Sequence, residues 1–557
     1  MRRAVWTLLL AICVGAAWPA AGHAHHEPCP RPVAGSAITP PPELVSAHGV
    51  LKLAFDYYTT VDEAGRTLFC FTTPSGEESP TLRINPGDRI DITLTNKVAP
   101  PPPGIAPEIV SNSTTRCGDT QMLPNSVNMH FHGTNTSPTC HSDEVIHTII
   151  NYGQTFQYSL QFPANEPPGL YWYHPHIHGI ASPAVQGGAS GVIIVDGVGK
   201  LQPAVRGLPE RILVIRDQNV PGHFVTAVSM GGGIAGGASA PRVEAPTPTL
   251  PSWDISLNYV PIPYPNYPPA VIKMKPGARE FWRVANASAD TIMDLQLLYD
   301  GVAQPFRLVS FDGVPIGSQD GTRRGTIITQ TDILIPPAGR AEFIVDGPST
   351  KVKQAIFQTL GINTGPLGDS DPPRPLAVIQ VTPDAPTLRR IPDEAAPPGD
   401  QRFEGLAKAA PTTKRTLYFS EVLVDPNNPN GPVNFFITVD GQTPTLFDPN
   451  NPPAIITKQG AVEDWTIENR SQENHEFHMH QIHFLLREVN GVAVPTERQQ
   501  FYDTYQVPFW TGSGPYPSIT VRMDFRGAVV GDFVYHCHIL DHEDGGMMAI
   551  IRVNPRP

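Results

Sequence analysis

Apolar and polar residues alternate in short runs along most of this chain, the period expected of strands with one face turned inward. The clearest run occurs three times. Arg83 to Asn96 reads RINPGDRIDITLTN, Lys273 to Asn286 reads KMKPGAREFWRVAN and Ile456 to Asn469 reads ITKQGAVEDWTIEN. Each has a turn glycine (Gly87, Gly277, Gly460), an alternating strand, and an asparagine nine residues after the glycine. The inward positions are Ile90, Ile92 and Leu94 in the first copy, Trp282 and Val284 in the second, and Trp465 and Ile467 in the third. The copies lie about 190 residues apart, which predicts three versions of one domain. Many short strands with frequent turns predict an all-β chain of three consecutive Greek-key sandwich or barrel domains.

The expected boundaries are 45–198, 205–383 and 412–557, with a Pro- and charge-rich linker over 384–411. Residues Gly231 to Ala240 are Gly/Ala-rich and predict a mobile loop in the middle domain. The 63 Pro and 48 Gly suit strands joined by turns and work against long helices. A formal net charge of −13 argues against a nucleic-acid partner.

Residues 1–24 have the form of an export leader: Arg2 and Arg3, an apolar stretch from Val5 to Ala17, then small residues. The apolar stretch is shorter than the ~20 residues that a membrane span needs. A periplasmic or secreted product is therefore expected, with the export route open. No other span is evident. Of six cysteines, Cys13 leaves with the leader and Cys537 sits in a metal-like motif. Cys29, Cys70, Cys117 and Cys140 then suggest two disulfides. Cys29–Cys70 with Cys117–Cys140 is the expected pairing, although the sequence leaves three connectivities open.

Histidines change the picture most. Six pairs with one intervening residue occur among the 19 histidines, where chance gives fewer than one. Four of these pairs, His130/His132, His174/His176, His478/His480 and His536/His538, come two from each end of the chain. On a strand, residues i and i+2 share a face, so each pair offers two imidazoles to one point, and imidazole suits copper. Cys537, between His536 and His538, points the other way. With His542 and Met547 it makes up two His, one Cys and a weak axial Met, the ligand set of blue copper, to which His475 adds the second His. Like Cys537, His475 is odd relative to its neighbouring pair, so odd members should face the blue site and even members a separate cluster.

His130-Phe131-His132-Gly133, Trp172-Tyr173-His174-Pro175-His176, His475 through His480, and His536 through Met547 together resemble the four signatures of the multicopper oxidase family, laccases included. The resemblance implies three cupredoxin-like domains and four copper ions. It implies a type 1 ion held by His475, Cys537, His542 and Met547, and a type 2 ion held by His130 and His478. The type 3 pair falls to His132, His174, His176, His480, His536 and His538. Asp143 and Glu543 resemble acids that supply protons near the cluster. Gln481 and Ile482 depart from the Gly-His usual after the third motif. His178 and His483 are read as neighbours rather than ligands.

The implied activity is one-electron oxidation of a phenolic, aromatic or similar small donor, coupled to four-electron reduction of dioxygen to water. The middle domain, without ligands, is expected to act as a spacer that shapes the donor pocket, and one chain suffices for the site, so a monomer is expected. The alternative is a cuprous-ion oxidase of copper tolerance, disfavoured by only 10 Met. A copper nitrite reductase would have fewer His pairs. A copper-free scaffold would not be expected to keep the full ligand set.

Overall fold

Each copy of the repeated run forms a strand that pairs in parallel with an earlier strand and antiparallel with a later one. Arg89–Asn96 lies between Val50–Val61 and Thr155–Gln161. Arg279–Asn286 lies between Glu210–Asn219 and Arg340–Asp346, and Val462–Asn469 between Thr413–Leu423 and Ser518–Asp524. The computed structural model describes residues 29–556 apart from 102–103, 105–107, 110–116, 222–249, 318–324, 394–400 and 429–430. The leader, the Gly231–Ala240 stretch and part of the 384–411 linker lie outside the described residues.

The ends of the repeated run have physical reasons. Gly87, Gly277 and Gly460 take φ of 87°, 62° and 99°, a region that costs a residue with a Cβ. The asparagines are locks. Asn96, Asn286 and Asn469 are fully buried. Each Nδ2 donates to two carbonyls: those of Asn125 and Ile150, Thr291 and Ile335, and Glu473 and Val507. Each Oδ1 accepts the amide two residues on, from Val98, Ser288 and Ser471. One side chain thus satisfies three backbone groups where the strand leaves its ladder.

Every unit packs two sheets around its own core. The first has a four-stranded sheet and a five-stranded one, the latter ordered Glu43–Val45, Thr81–Ile84, Gly191–Val195, Leu170–His174 and His130–His132. The third has a seven-stranded sheet and a five-stranded one, the latter ordered Ile455–Lys458, Met548–Asn554, Gly531–Cys537, His475–Met479 and Thr504–Val507. The middle unit has sheets of eight and six strands. The expected inward residues sit in these cores: Ile90, Ile92 and Leu94 in one, Trp282 and Val284 in another, Trp465 and Ile467 in the third. The architecture is all-β with three consecutive cupredoxin-like units. The two disulfides are Cys29–Cys70 and Cys117–Cys140.

Strand Arg279–Asn286 is buried on both faces, unlike its alternating counterpart Arg89–Asn96. Its outer face meets the first unit, where Ala285 and Ala287 pack with Leu170, Trp172, Val192 and Ile194. The first and third units meet through Val145, Ile146, Phe447, Val534, Met548 and Ile550. Val185, Ala289 and Leu540 form a small apolar contact with one residue from each unit. Burying such side chains contributes roughly 1.5–3 kcal/mol each for the large ones, enough to fix the units around a shared seam.

Candidate metal centres

Strand pairing brings the histidine pairs together. His130 lies opposite His174 across one antiparallel ladder, and His478 opposite His536 across another. His176 and His480 follow their strands at once, and Asn128 Oδ1 fixes the first of them by accepting its backbone N–H at 2.7 Å. All eight rings are buried. Their nitrogens gather into trios whose ligand atoms lie within 4.8 Å of one another: His130/His132/His478, His132/His174/His538 and His176/His480/His536. Each trio draws on both the first and the third unit. The eight even-parity histidines of the sequence analysis are thus brought to one place.

Five of the eight rings, those of His130, His132, His174, His478 and His536, have one nitrogen anchored by an oxygen. Asp143 Oδ1 faces His130 Nδ1 at 2.9 Å, the Pro175 carbonyl faces His174 Nδ1 at 2.8 Å, and the Asp503 carbonyl faces His478 Nδ1 at 2.8 Å. For each of these rings, the buried Nε2 has no hydrogen-bond partner among the described residues. His132 is reversed: Nε2 meets Asp503 Oδ1 at 3.0 Å and Nδ1 is the unpartnered nitrogen. His536 donates Nδ1–H to the Cys537 carbonyl at 2.7 Å, so its Nε2 carries a lone pair. That atom lies 3.2 Å from His176 Nε2 and 3.1 Å from His480 Nε2.

Burial, reinforced for most by neighbouring imidazoles, holds His132, His174, His176, His478, His480, His536 and His538 well below the usual histidine range. Neutral rings with converging, unsatisfied lone pairs cost about 1–3 kcal/mol each when left unpaired. They fit a nitrogen-ligated metal.

The odd-parity residues meet on the other side. His475 Nδ1 and His542 Nδ1 are 3.0 Å apart, and Cys537 Sγ is 3.6 Å from the first and 3.8 Å from the second. The strand ends at Cys537, and a one-turn helix, Leu540–Asp544, carries His542 back toward it. Backbone bonds close that loop: Met547 N–H donates to His542 O at 3.0 Å, and Cys537 N–H to Met547 O at 3.1 Å. Met547 is fully buried in the same core as Cys537. Outside the trio, Ser471 Oγ lies 2.8 Å and Glu421 Oε1 3.1 Å from His475 Nε2, and Phe435 stacks on His542. Burial pushes the Cys537 thiol well up, while the Glu476 N–H reaches its sulfur at 3.3 Å. A thiolate in so dry a place calls for a cation, which fits a soft metal at this trio.

Asp143 and Glu543 are both buried. Asp143 accepts from Phe131 N–H and from Gln481 Nε2 besides facing His130. Burial raises Glu543 to about 8, and His178 Nδ1 lies 3.5 Å from its Oε1. His483 donates Nε2–H to the Asp312 carbonyl at 2.7 Å. Sequence reasoning missed Asp503, Arg340 and the bridging part of Gln481. Arg340 comes from the middle unit and forks onto Asp503 at 2.8 and 2.5 Å. That unit is therefore more than a spacer.

The fold and these two kinds of donor set define a three-unit cupredoxin-like metalloprotein. Family profiles described as multicopper oxidase match residues 103–198 and 422–557, the stretches that carry the ligand motifs. The multicopper oxidase mco of Staphylococcus haemolyticus is 30% identical over 125 residues, covering 22% of this chain and 25% of that one. The chain thus spans about a quarter of the length of that curated relative. Multicopper oxidase LPR1 homolog 1 of Oryza sativa is 21% identical over 88% of this chain and 85% of its own. The solved 2F4 variant of the McoA multicopper oxidase from Aquifex aeolicus has the same fold, with TM-score 0.65, 19% identity and coverage of 93% and 99%. Profiles of the multicopper oxidase family thus match both ligand-bearing stretches, and that likeness implies copper as the metal.

Proposed function

We propose that this chain is an oxidase that takes single electrons from a small donor and reduces dioxygen to water, using about four copper ions. The proposal divides the chain at 45–198, 205–383 and 412–557. His475, Cys537, His542 and Met547 would hold a type 1 ion, and His130 and His478 a type 2 ion. His132, His174 and His538 would hold one type 3 ion, and His176, His480 and His536 the other. One observation carries the reading: Cys537 belongs to one trio while its chain neighbours His536 and His538 belong to two others. A few covalent bonds therefore join the two kinds of donor set.

Copper, when bound, would supply the one-electron redox chemistry and the activation of dioxygen. The chain's own residues do the rest. Burial of all eight rings, and an anchored nitrogen on five of them, fix geometry before any ligand arrives. A mostly apolar cavity lined by Val145, Ile149, Phe447, Val534 and Met548 reaches His176 and suits a neutral diatomic molecule. Glu543, neutral near pH 7, can release a proton toward His178, and Asp143 lies against His130; dioxygen reduction consumes four protons.

The donor pocket favours one class. His542, the edge of the blue site, opens onto a cavity lined by Asp290, Asp369, Asp371, Glu473 and Asp541. Burial raises Asp290, Asp369, Asp371 and Asp541, so as these acids release their protons with rising pH they favour a cation, such as Cu(I) or a protonated aromatic amine, over a neutral phenol. This favours the cuprous alternative. The leader over 1–24 supports export to the periplasm or beyond. Among the described residues no helix is long and apolar enough to cross a membrane.

The test is copper reconstitution followed by oxygen-electrode assays with Cu(I), an aromatic diamine and a phenol. Oxygen uptake with the cationic donors ahead of the phenol is expected. A protein that binds copper yet consumes no oxygen with any of them would sink the oxidase reading.

A further inference from the structure

Three units meet at one ion pair beneath the histidine nest. Arg340 is fully buried and comes from the middle unit. Its Nη1 and Nη2 reach the two oxygens of Asp503, from the third unit, at 2.8 and 2.5 Å. The carbonyls of Leu170 and Ala338 take two further N–H bonds from Arg340, at 3.2 and 2.9 Å. The guanidinium is therefore held in one plane and one orientation.

Asp503 passes that orientation on. Its Oδ1 accepts His132 Nε2–H at 3.0 Å, and its backbone carbonyl accepts His478 Nδ1–H at 2.8 Å. One residue thus holds two rings in opposite tautomers, His132 with Nδ1 inward and His478 with Nε2 inward. Asp312, also from the middle unit, braces both partners by accepting Arg340 N–H at 2.8 Å and Asp503 N–H at 3.1 Å.

The glycine after His132 records how tightly this is packed. A Cβ on Gly133, at φ 82°, would stand 2.5 Å from Arg340 Nη2 and 2.5 Å from Asp503 Oδ2. Any larger residue would collide with the pair itself. The last letter of the first histidine motif is therefore explained by an arginine about two hundred residues away in the chain.

We propose that Arg340 is a positioning residue: through Asp503 it fixes the tautomer and aim of His132, so that the ligand-free middle unit governs metal uptake between the other two. The inference rests on the ligand assignment proposed above. The blue trio lies wholly in the third unit and does not touch this pair, which supplies an internal reference.

The experiment reconstitutes the full chain and its Arg340→Lys and Arg340→Met variants with copper. It measures copper per chain, the visible absorption of the thiolate-bound ion, the resonance signal of the cluster ions, and thermal melting. Both variants should keep the thiolate absorption while losing half or more of the remaining copper, with Arg340→Lys the milder. A variant that stays folded and takes up the parent's full copper with unchanged cluster signals overturns the inference. Should Arg340→Met fail to fold, Arg340→Lys, which keeps the buried cation but loses the fork, decides it alone. A parent chain with no thiolate absorption would instead count against the ligand assignment.

Discussion

Gln481 donates its side-chain amide to Asp143 Oδ2 at 2.5 Å across the seam between the first and third units. Gln481 takes the left-handed backbone that glycine adopts most readily, with φ 59°. A non-glycine residue there costs on the order of 1 kcal/mol, and the bond to a buried carboxylate offsets it. The departure from the motif is thus a bridge between units.

Asp143→Ala should be costly, because it strands the Phe131 N–H, the Gln481 amide and the outer nitrogen of His130. With about 1–3 kcal/mol for each buried donor left unpaired, a loss of roughly 3 kcal/mol or more is expected. Gln481→Gly, which relieves strain while losing one bond, should stay within about 1 kcal/mol of the parent. Melting temperatures of the metal-free proteins, compared in one scan series, check the ranking. Equal effects would show that the carboxylate does not hold the seam.

Cys537→Ser removes the sulfur and nearly nothing else. The residue is fully buried beside His475 and His542, and serine is close in size. The visible thiolate absorption and the oxygen uptake should vanish, with melting of the metal-free chain shifted by no more than about 1–2 kcal/mol equivalent. Absorption spectra and the oxygen electrode read the first two. A coloured, active serine variant would place the electron entry elsewhere.

What was legible in the sequence follows from how local the constraint is. The histidine pairs show because i and i+2 on a strand share a face, so spacing alone encodes convergence. His475 and Cys537 show by parity for the same reason. Arg340 and Asp503 do not, since an arginine on one strand and an aspartate on a loop meet only after the units dock. Of the carboxylates around His542, only Asp541 is its chain neighbour; Asp290, Asp369, Asp371 and Glu473 come from separate segments of two units, and no spacing links them to it. The repeated asparagine was visible as a pattern, but its purpose as a lock on two carbonyls and one amide needed coordinates.

Those asparagines predict comparable costs in unrelated surroundings. Asn286→Ala removes three buried hydrogen bonds, to the Thr291 and Ile335 carbonyls and from the Ser288 amide. At about 1 kcal/mol per bond, a loss near 3 kcal/mol is expected, and Asn469→Ala should equal or exceed it in the third unit, since Asn469 also accepts the Ser471 hydroxyl at 2.7 Å. Because the units need not melt together, calorimetry that resolves separate transitions is the suitable measurement. A loss confined to a few tenths would mean the run is held by its turn glycine alone.

The donor pocket predicts a pH dependence with a definite sign. Burial raises Asp371 to about 8, although Arg374 works against it, and its Oδ1 has no hydrogen-bond partner among the described residues. Between the unfolded value near 4 and about 8, the folded chain keeps a proton that the unfolded chain has released. This group's share of stability therefore falls as pH rises through that window. A cation entering the pocket displaces the same proton, so its binding should strengthen as pH rises, by up to about tenfold per unit, and level off above pH 8. KM for a Cu(I) donor should fall from pH 6 to 8, while KM for a neutral phenol stays flat. Asp371→Asn should lessen the slope of the Cu(I) profile, part of which remains because burial also raises Asp541 to about 7, and should leave the phenol untouched. A phenol profile with the same slope would trace the effect to the blue site rather than to the pocket wall.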